Sequence, residues 1–434
     1  MIAQAKYILL KIIPASFKKK IKEVIFLIKL KQVQNNQQKA LLQIREKDKI
    51  KIVFFLIHNS VWKYEGVYKL MEQDPRFDPI VIVCPYISFG EENMLNEMRA
   101  SFTSFKAKGY NVIKSLNEET GEWLDVKKDI KPDIVFFTNP HKLTKDEYYI
   151  TNFLDRLTCY VPYSFQISHL YQMQFNQDFH NLLFRGFYET KIHKKIAKKY
   201  SKTRARNIRI TGYPGLDNLL LNKIQNQDPW KNTKNVLKKI IWAPHHTIDD
   251  KSLLCYSNFL SYHDDFIVLS EKYRNEIQIA FKPHPLLKPK LYEHSEWGKI
   301  KTDCYYEKWQ NLENGQLALE DYIDLFLTSD GMIHDSGSFL VEYLSTSKPA
   351  LFVMRDTDIR DRFNDFGKLA FENHYHANNF NDIEEFITNV VLENNDILYK
   401  QRKIFIKTHL SQNTDKTASE KIYMKICKLS INKS

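Results

Sequence analysis

Residues Ser329 to Val353, "SDGMIHDSGSFLVEYLSTSKPALFV", carry the signature of the fold. They read as a short apolar strand, a loop, a helix and a second apolar strand. Two apolar strands joined by a helix make the crossover unit of a parallel sheet. The loop is Asp335-Ser336-Gly337-Ser338, and the helix carries Glu342 one turn inside an otherwise apolar run. Small residues at a helix start let backbone N–H groups approach a phosphate, and the helix dipole favours the anion. The serine hydroxyls add donors, and Glu342 can accept hydrogen bonds from a ribose diol. A serine N-cap with a glutamate capping box is the other reading of the same residues.

On both sides of this segment the pattern repeats. In the second half "KKIIWAPHHT", "IQIAFKPHP" and "KPALFV" read as strands separated by helical stretches. In the first half "KIKIVFFLI", "FDPIVIVCP", "KPDIVFFTNP", "CYVPYSFQI" and "NIRITGYPGLD" do the same. Near-continuous apolar runs suit strands buried on both faces. A polar stretch, Leu220–Asn235, separates the two series. The expected fold is α/β: two Rossmann-like, doubly wound domains facing a cleft. The expected divisions are a basic segment 1–48, an acceptor domain 49–225, a nucleotide-donor domain 226–400 and a helical segment 401–434.

The chain has 434 residues, 43% hydrophobic and 27% charged, which suits two globular domains. Five scattered cysteines without a CxxC pair point to a reducing compartment. Of the net charge of +12, residues 1–50 supply +9, from twelve Lys/Arg and three acids. There the lysines alternate with "YILLKII" and "VIFLIKL", too short to span a bilayer at roughly 20 apolar residues. The segment is expected to lie on an anionic cytoplasmic leaflet, so the protein is expected to be peripheral on the inner face of the cell membrane. Nucleic acid is not expected, because the lysines interleave with aliphatic side chains and not with a stacking series.

Two further strand ends carry chemistry. "FKPHP" delivers Lys282 and His284 past a buried strand, where lysine supplies fixed charge and histidine donates to phosphate or exchanges a proton. "WAPHHT" does the same with His245 and His246. Neighbouring histidines do not easily chelate one ion, so no metal is expected. In an open α/β sheet such loops converge on one crevice, which predicts a nucleotide diphosphate derivative there. No Walker loop, GxGxxG fingerprint or DxD-like metal motif is present, and no cofactor is expected. "HNSVWKYEG", His58–Gly66, places His, Trp and Tyr at the end of the first strand, facing an acceptor.

The second half resembles the donor domain of GT-B transferases, and most of all the CDP-glycerol glycerophosphotransferase family of teichoic acid and capsule polymer synthesis. "KPHP" is similar to that family's strand-end HP motif. "HDSGSFLVEYLSTSKP" is similar to its later serine-rich turn, and "ITGYPGLDNL" to the segment before its donor domain. The spacing from Glu342 to Pro349 fits the GT-B glutamate that binds the nucleotide ribose. The resemblance implies that Lys282, His284, Ser336, Gly337 and Ser338 hold the donor pyrophosphate and Glu342 the ribose, with His246 and Asp335 also at the donor site. The family's first domain carries a WHG turn whose histidine looks like the base. The comparable strand end here reads "YVPYSFQIS", so the base candidates are His58, His169, His180 and His245. "DSGSFLVEYL" and "VMRDT" also resemble a turn of UDP-N-acetylglucosamine 2-epimerases. The expected activity is a bacterial transfer of glycerol phosphate, or a similar polyol phosphate, from a CDP-linked donor to a lipid-linked or polymeric glycan acceptor. A nucleotide-sugar glycosyltransferase and a non-catalytic membrane scaffold are the alternatives.

Overall fold

The computed structural model describes residues 15–224, 228–249, 252–319, 322–411 and 415–430. The run "YILLKII" and Asp250 lie outside them. The first sheet has seven strands: β1 Ile50–Leu56, β2 Phe77–Val83, β3 Val112–Lys114, β4 Ile134–Phe137, β5 Leu157–Tyr160, β6 Arg185–Tyr188 and β7 Ile208–Ile210. The second has six: β8 Lys238–Ala243, β9 Ile277–Phe281, β10 Gly315–Leu317, β11 Gly331–His334, β12 Ala350–Val353 and β13 Tyr375–Ala377. Their orders are β3-β2-β1-β4-β5-β6-β7 and β10-β9-β8-β11-β12-β13, every pairing parallel. Both sheets are doubly wound, and each reverses direction beside its first strand, β1/β4 and β8/β11. A crevice opens at the carboxyl ends of the strands at such a reversal.

The apolar runs explain the central strands. β1 pairs from Ile50↔Phe77 to Leu56↔Val83 on one side and with β4 on the other. Val53 and Phe54 are fully buried, and Phe54 stacks on Phe136 of β4 at 4.8 Å. Strands β3, β6, β10 and β13 had no expectation in the sequence. They are three or four residues long and mix buried with half-exposed positions, so no apolar run marks them.

Among the helices that flank the sheets are α1 Ala15–Arg45, α2 Glu65–Glu72, α3 Lys191–Tyr200, α4 Leu287–Glu293 and α5 Ala418–Cys427. Helix α1 buries Phe26, Leu30, Val33, Gln37, Ala40 and Ile44, a stripe with alternating steps of four and three. Phe26, Leu30 and Val33 join Val53, Phe55 and Ile82 in one core against the first sheet. Other apolar side chains of its first half, Ile25 (60% exposed) and Ile28 (65%) among them, face outward. No helix among the described residues is long and apolar enough to cross a membrane.

The chain returns to its first domain at the end. Asp217 accepts from the backbone N–H of Ala418 (2.8 Å) and Ser419 (3.0 Å) at the start of α5, and the Tyr423 hydroxyl donates to Asp74 at 2.7 Å. Helices α2 and α5 cross so closely at Gly66 that a Cβ there would meet Ser419 Oγ at 2.6 Å. A second seam lies between residues 165–169 and 362–367. Ser168 bridges to Phe363, the Asn364 backbone donates to the Ile167 carbonyl at 2.7 Å, and Phe165 stacks on Phe366 at 5.2 Å.

Candidate functional site

Histidines gather at the strand reversal of the second sheet, and one from the first half lies near enough to influence them. The loop after β8 carries His245 and His246, and the loop after β9 carries Lys282 and His284. Ligand atoms of His245, His246 and His284 lie within 4.8 Å of one another. Ring centroids are 4.3 Å apart for His245–His246 and 4.2 Å for His246–His284. From the first domain, His58 at the end of β1 comes near enough to push down the affinity of His284 for its proton. Lys282, seven percent exposed, and Lys290 on α4 act on His284 in the same way.

Burial is the first cause of the low proton affinity of all these rings. It holds His58 at about 4 and His246 at about 4, and it keeps His245 and His284 well below the ordinary range. All four are therefore neutral at neutral pH, and backbone hydrogen bonds fix the tautomer of two. The Leu286 N–H donates to His284 Nδ1 at 3.1 Å, and the Thr247 N–H donates to His245 Nδ1 at 3.3 Å. A neutral ring whose Nδ1 accepts carries its hydrogen on Nε2. His245 and His284 are thus N–H donors, whereas a metal ligand needs a lone pair at that atom and usually a hydrogen on the other nitrogen. Three clustered histidines satisfy the spacing of a metal site, but this hydrogen-bond pattern fits an anion better.

Asp335 ties these loops together. It is buried, and its carboxylate accepts from the His245 N–H (2.6 Å) and the Asn258 N–H (2.6 Å). Burial pushes it up to about 6 against those hydrogen bonds. Its carboxylate is thus a clamp between the ends of β8 and β11. Ser336 and Ser338 follow, their hydroxyls 3.3 Å apart. The helix they precede is only Phe339–Glu342, and Ser338 makes no side-chain cap bond. The capping reading is therefore not what the hydroxyls do. A Cβ on Gly337 would sit 3.2 Å from Tyr256 and 3.3 Å from Ile167, so this turn passes close against the first domain. Glu342 is buried at the same seam, where its charge adds to the burial that raises the Tyr213 phenol.

The structure does not bring His169 and His180 into this group. His169 Nδ1 lies 2.8 Å from the Arg362 carbonyl in the seam between the halves. His180 is buried within the helix Asp178–Leu182, where its Nδ1 accepts from the Gln177 N–H at 3.2 Å. Sequence reasoning missed Lys290, six residues past His284. The signal was there, because "HPLLKPK" places lysines on the helix that the KPHP loop opens. It also missed His141, which follows β4 at the first sheet's reversal and lies 2.9 Å from Gln177 Nε2.

Two parallel, doubly wound domains of this kind are the architecture of the GT-B fold. Residues 187–428 match the family model described as CDP-Glycerol:Poly(glycerophosphate) glycerophosphotransferase, and the chain belongs to that family. Among solved structures it is similar to the wall teichoic acid polymerase TagF, in a variant soaked with CDPG. That likeness has 16% identity over 95% of this chain and 97% of that one, with a TM-score of 0.58. It is also similar to MnaA of S. aureus in a co-structure with UDP (16%, 89% and 98%, TM-score 0.56). A third likeness is to the UDP-GlcNAc 2-epimerase of Neisseria meningitidis bound to UDP-GlcNAc (16%, 88% and 100%, TM-score 0.55). No curated protein matches the chain. At these identities the structures speak for the fold, and the family assignment rests on the sequence model. The expectation of a glycerophosphotransferase-like enzyme of cell-surface polymer synthesis agrees with that assignment.

Proposed function

We propose that the protein moves glycerol phosphate, or a similar polyol phosphate, from a CDP-linked donor to a lipid-linked or glycan acceptor, releasing CMP. The observation that carries this is the gathering of His245, His246, His284 and Lys282 at the ends of β8 and β9, with His58 of the other domain close enough for its charge to bear on His284. In this reading the donor pyrophosphate lies among the Nε2–H groups of His245 and His284, the ammonium groups of Lys282 and Lys290, and the turn at Ser336-Gly337-Ser338. Glu342 takes the ribose. His58 is the base. Its Nδ1 lies 2.8 Å from Ser60 Oγ, and when Nδ1–H donates to that hydroxyl, Nε2 is free to accept a proton. The acceptor hydroxyl gives its proton to Nε2 and its oxygen attacks the β-phosphorus. The bond from that phosphorus to the bridging oxygen breaks, and CMP leaves with the bond's electrons.

A ring held at about 4 is a weak base in the empty protein. The negative pyrophosphate beside it raises its proton affinity, so the donor itself activates the base. Membrane placement follows from α1, whose outward apolar side chains sit among lysines, and we place this face on the inner leaflet. The test is product analysis with CDP-glycerol and with nucleotide sugars. CMP release with transfer to a poly(glycerol phosphate) or lipid-linked primer supports the reading. Release of a nucleoside diphosphate would mark sugar transfer and overturn it. Binding of CDP-glycerol without turnover of any acceptor would favour a scaffold.

A further inference from the structure

The loop between β1 and α2, which carries His58, makes a direct contact with the second domain. The Lys63 ammonium donates to the Tyr322 hydroxyl at 3.1 Å and lies 5.4 Å from the centre of that ring. Lys63 is half-buried, and its neighbours leave it little freedom. The Trp62 indole N–H donates to the Tyr110 hydroxyl at 3.2 Å, and its ring packs on Phe105 at 5.0 Å. The Tyr64 hydroxyl donates to the Phe137 carbonyl at 2.6 Å and accepts from the Val161 N–H at 2.8 Å. Between His58 and Trp62 the chain makes one turn, Asn59–Val61, and the Trp62 N–H closes it on the Asn59 carbonyl at 3.1 Å. His58 is tied to the same turn through Ser60. Lys63 and His58 therefore belong to one anchored loop, and what displaces one displaces the other.

Tyr322 is joined just as firmly to the serine turn. It stands after β10, directly before the helix Ile323–Thr328. Its ring centre is 5.2 Å from that of Phe339 and 4.8 Å from that of Phe326. Phe326 in turn packs on Phe339 at 4.9 Å and on Tyr343 at 5.1 Å. Phe339 directly follows Ser338. These rings connect the Tyr322 hydroxyl to the backbone that ends the Ser336-Gly337-Ser338 turn, and side chains packed in this way transmit small shifts. Among the described residues Lys63 has no carboxylate partner, so the phenol is what holds its ammonium. A charge-assisted hydrogen bond is directional, so it fixes a distance as well as adding energy.

We infer that the Lys63–Tyr322 hydrogen bond is a cross-domain positioning contact, which sets the His58 loop at a fixed distance from the Ser336-Gly337-Ser338 turn. Lys63 is then a positioning residue that touches neither donor nor acceptor. The inference rests on the roles proposed above for His58 and the turn, and adds the contact that brings them into register. A base and a phosphate site carried by different domains need such a contact, because a misplacement of about 1 Å can cost a hundredfold in rate.

The test uses the full chain with Lys63→Met, Tyr322→Phe and the two together. Lys63→Met keeps the stem and removes the donor, and Tyr322→Phe keeps the ring on Phe339 and removes the acceptor. Each single variant should lower kcat for CMP release from CDP-glycerol by about ten- to a hundredfold, and the double variant no further. The affinity for CDP should stay at the parent's value, and Lys63→Arg, which keeps a donor, should restore much of the rate. Amide hydrogen exchange reads the contact without turnover. Tyr322→Phe should speed exchange across residues 58–64, and Lys63→Met should speed it across residues 336–343. A slow Lys63→Met beside a normal Tyr322→Phe would mean that Lys63 acts on substrate, and the inference would be overturned. Weakened CDP binding in Lys63→Met would overturn it as well, as would unchanged rates and exchange in both variants. If exchange couples the two segments but the parent releases no CMP from CDP-glycerol, the contact stands and the transfer reading falls.

Discussion

The two halves share one topology but use their strand ends differently. In the second domain the loops after β8, β9 and β11 converge, and a buried carboxylate, Asp335, locks two of them by their backbone. In the first domain the corresponding ends are largely spent on internal contacts. Thr138 after β4 donates to the Phe55 carbonyl at 2.8 Å, and the segment after β5 is consumed by the seam with residues 362–367. From this half, His58 is near enough for its charge to bear on His284. In the proposed reading one domain supplies a set of neutral and cationic donors, and the other supplies His58. Such a division suits a reaction in which the donor must be held in one pose while acceptors are exchanged.

This division of labour is tested most severely at His58. Its replacement by alanine should lower kcat by about 10²–10⁴-fold, the usual worth of a general base, with little change in donor affinity. Equal loss in His169→Ala with normal His58→Ala would move the base into the seam. On the other side, His284→Ala removes one fixed donor to the phosphate and should cost about 10²–10³-fold in kcat/KM. Donor affinity should weaken here, which separates the two halves in a KM-against-kcat comparison. Asp335→Ala tests the clamp. It leaves the N–H groups of His245 and Asn258 buried and unpaired, at roughly 1–3 kcal/mol each, so its melting temperature should fall well below that of any His58 variant.

The same asymmetry governed what could be read from the sequence. The second half was legible because each chemical group follows a buried strand directly, as His245 and His246 follow β8 and His284 follows β9. Short spacing and apolar runs are local signals. The base was less legible. His58, His169 and His180 all stand near strand ends or loops, and only packing distinguishes them: one faces the cluster, one meets a carbonyl of the other domain and one is buried in a capping box. The short strands β3, β6, β10 and β13 depend on pairing partners distant in sequence.

Acidification should distinguish the empty from the loaded site. His58 and His246 have an ordinary value of 6.5 and sit at about 4 when folded. A depressed folded value contributes stability that is complete above 6.5 and is lost as pH falls toward 4. Each tenfold difference in proton affinity between the unfolded and folded protein is worth about 1.4 kcal/mol. Asp335, raised from 3.8 to about 6, works in the opposite sense, because the folded state holds its proton more tightly through that window. Glu189, pushed up to about 8 by burial, and Asp217, also raised, act with Asp335, but the buried histidines of lowered proton affinity are more numerous, so the melting temperature should fall from pH 6.5 to 5. Pyrophosphate or CDP should reduce that fall by pairing with the protonated rings. A melting temperature flat across the window, with and without ligand, would mean that the rings are solvated and that the donor half is not the closed set described here.

The mildest substitution is the most discriminating for the turn. Ser338 lies at the start of a four-residue helix, yet its hydroxyl makes no cap bond and, among the described residues, reaches Ser336 Oγ. Its removal therefore costs the folded protein little, and the melting temperature of Ser338→Ala should stay close to the parent's. A hydroxyl that donates to a phosphate oxygen in the complex makes a charge-assisted hydrogen bond, worth about 1.5 kcal/mol or more, so kcat/KM should drop about tenfold or slightly further. The opposite pattern, a lowered melting temperature with kcat/KM unchanged, would return Ser338 to the role of a structural cap. Donor binding would then rest on the histidines and lysines alone, and the difference between the halves would narrow to the loops after β8 and β9.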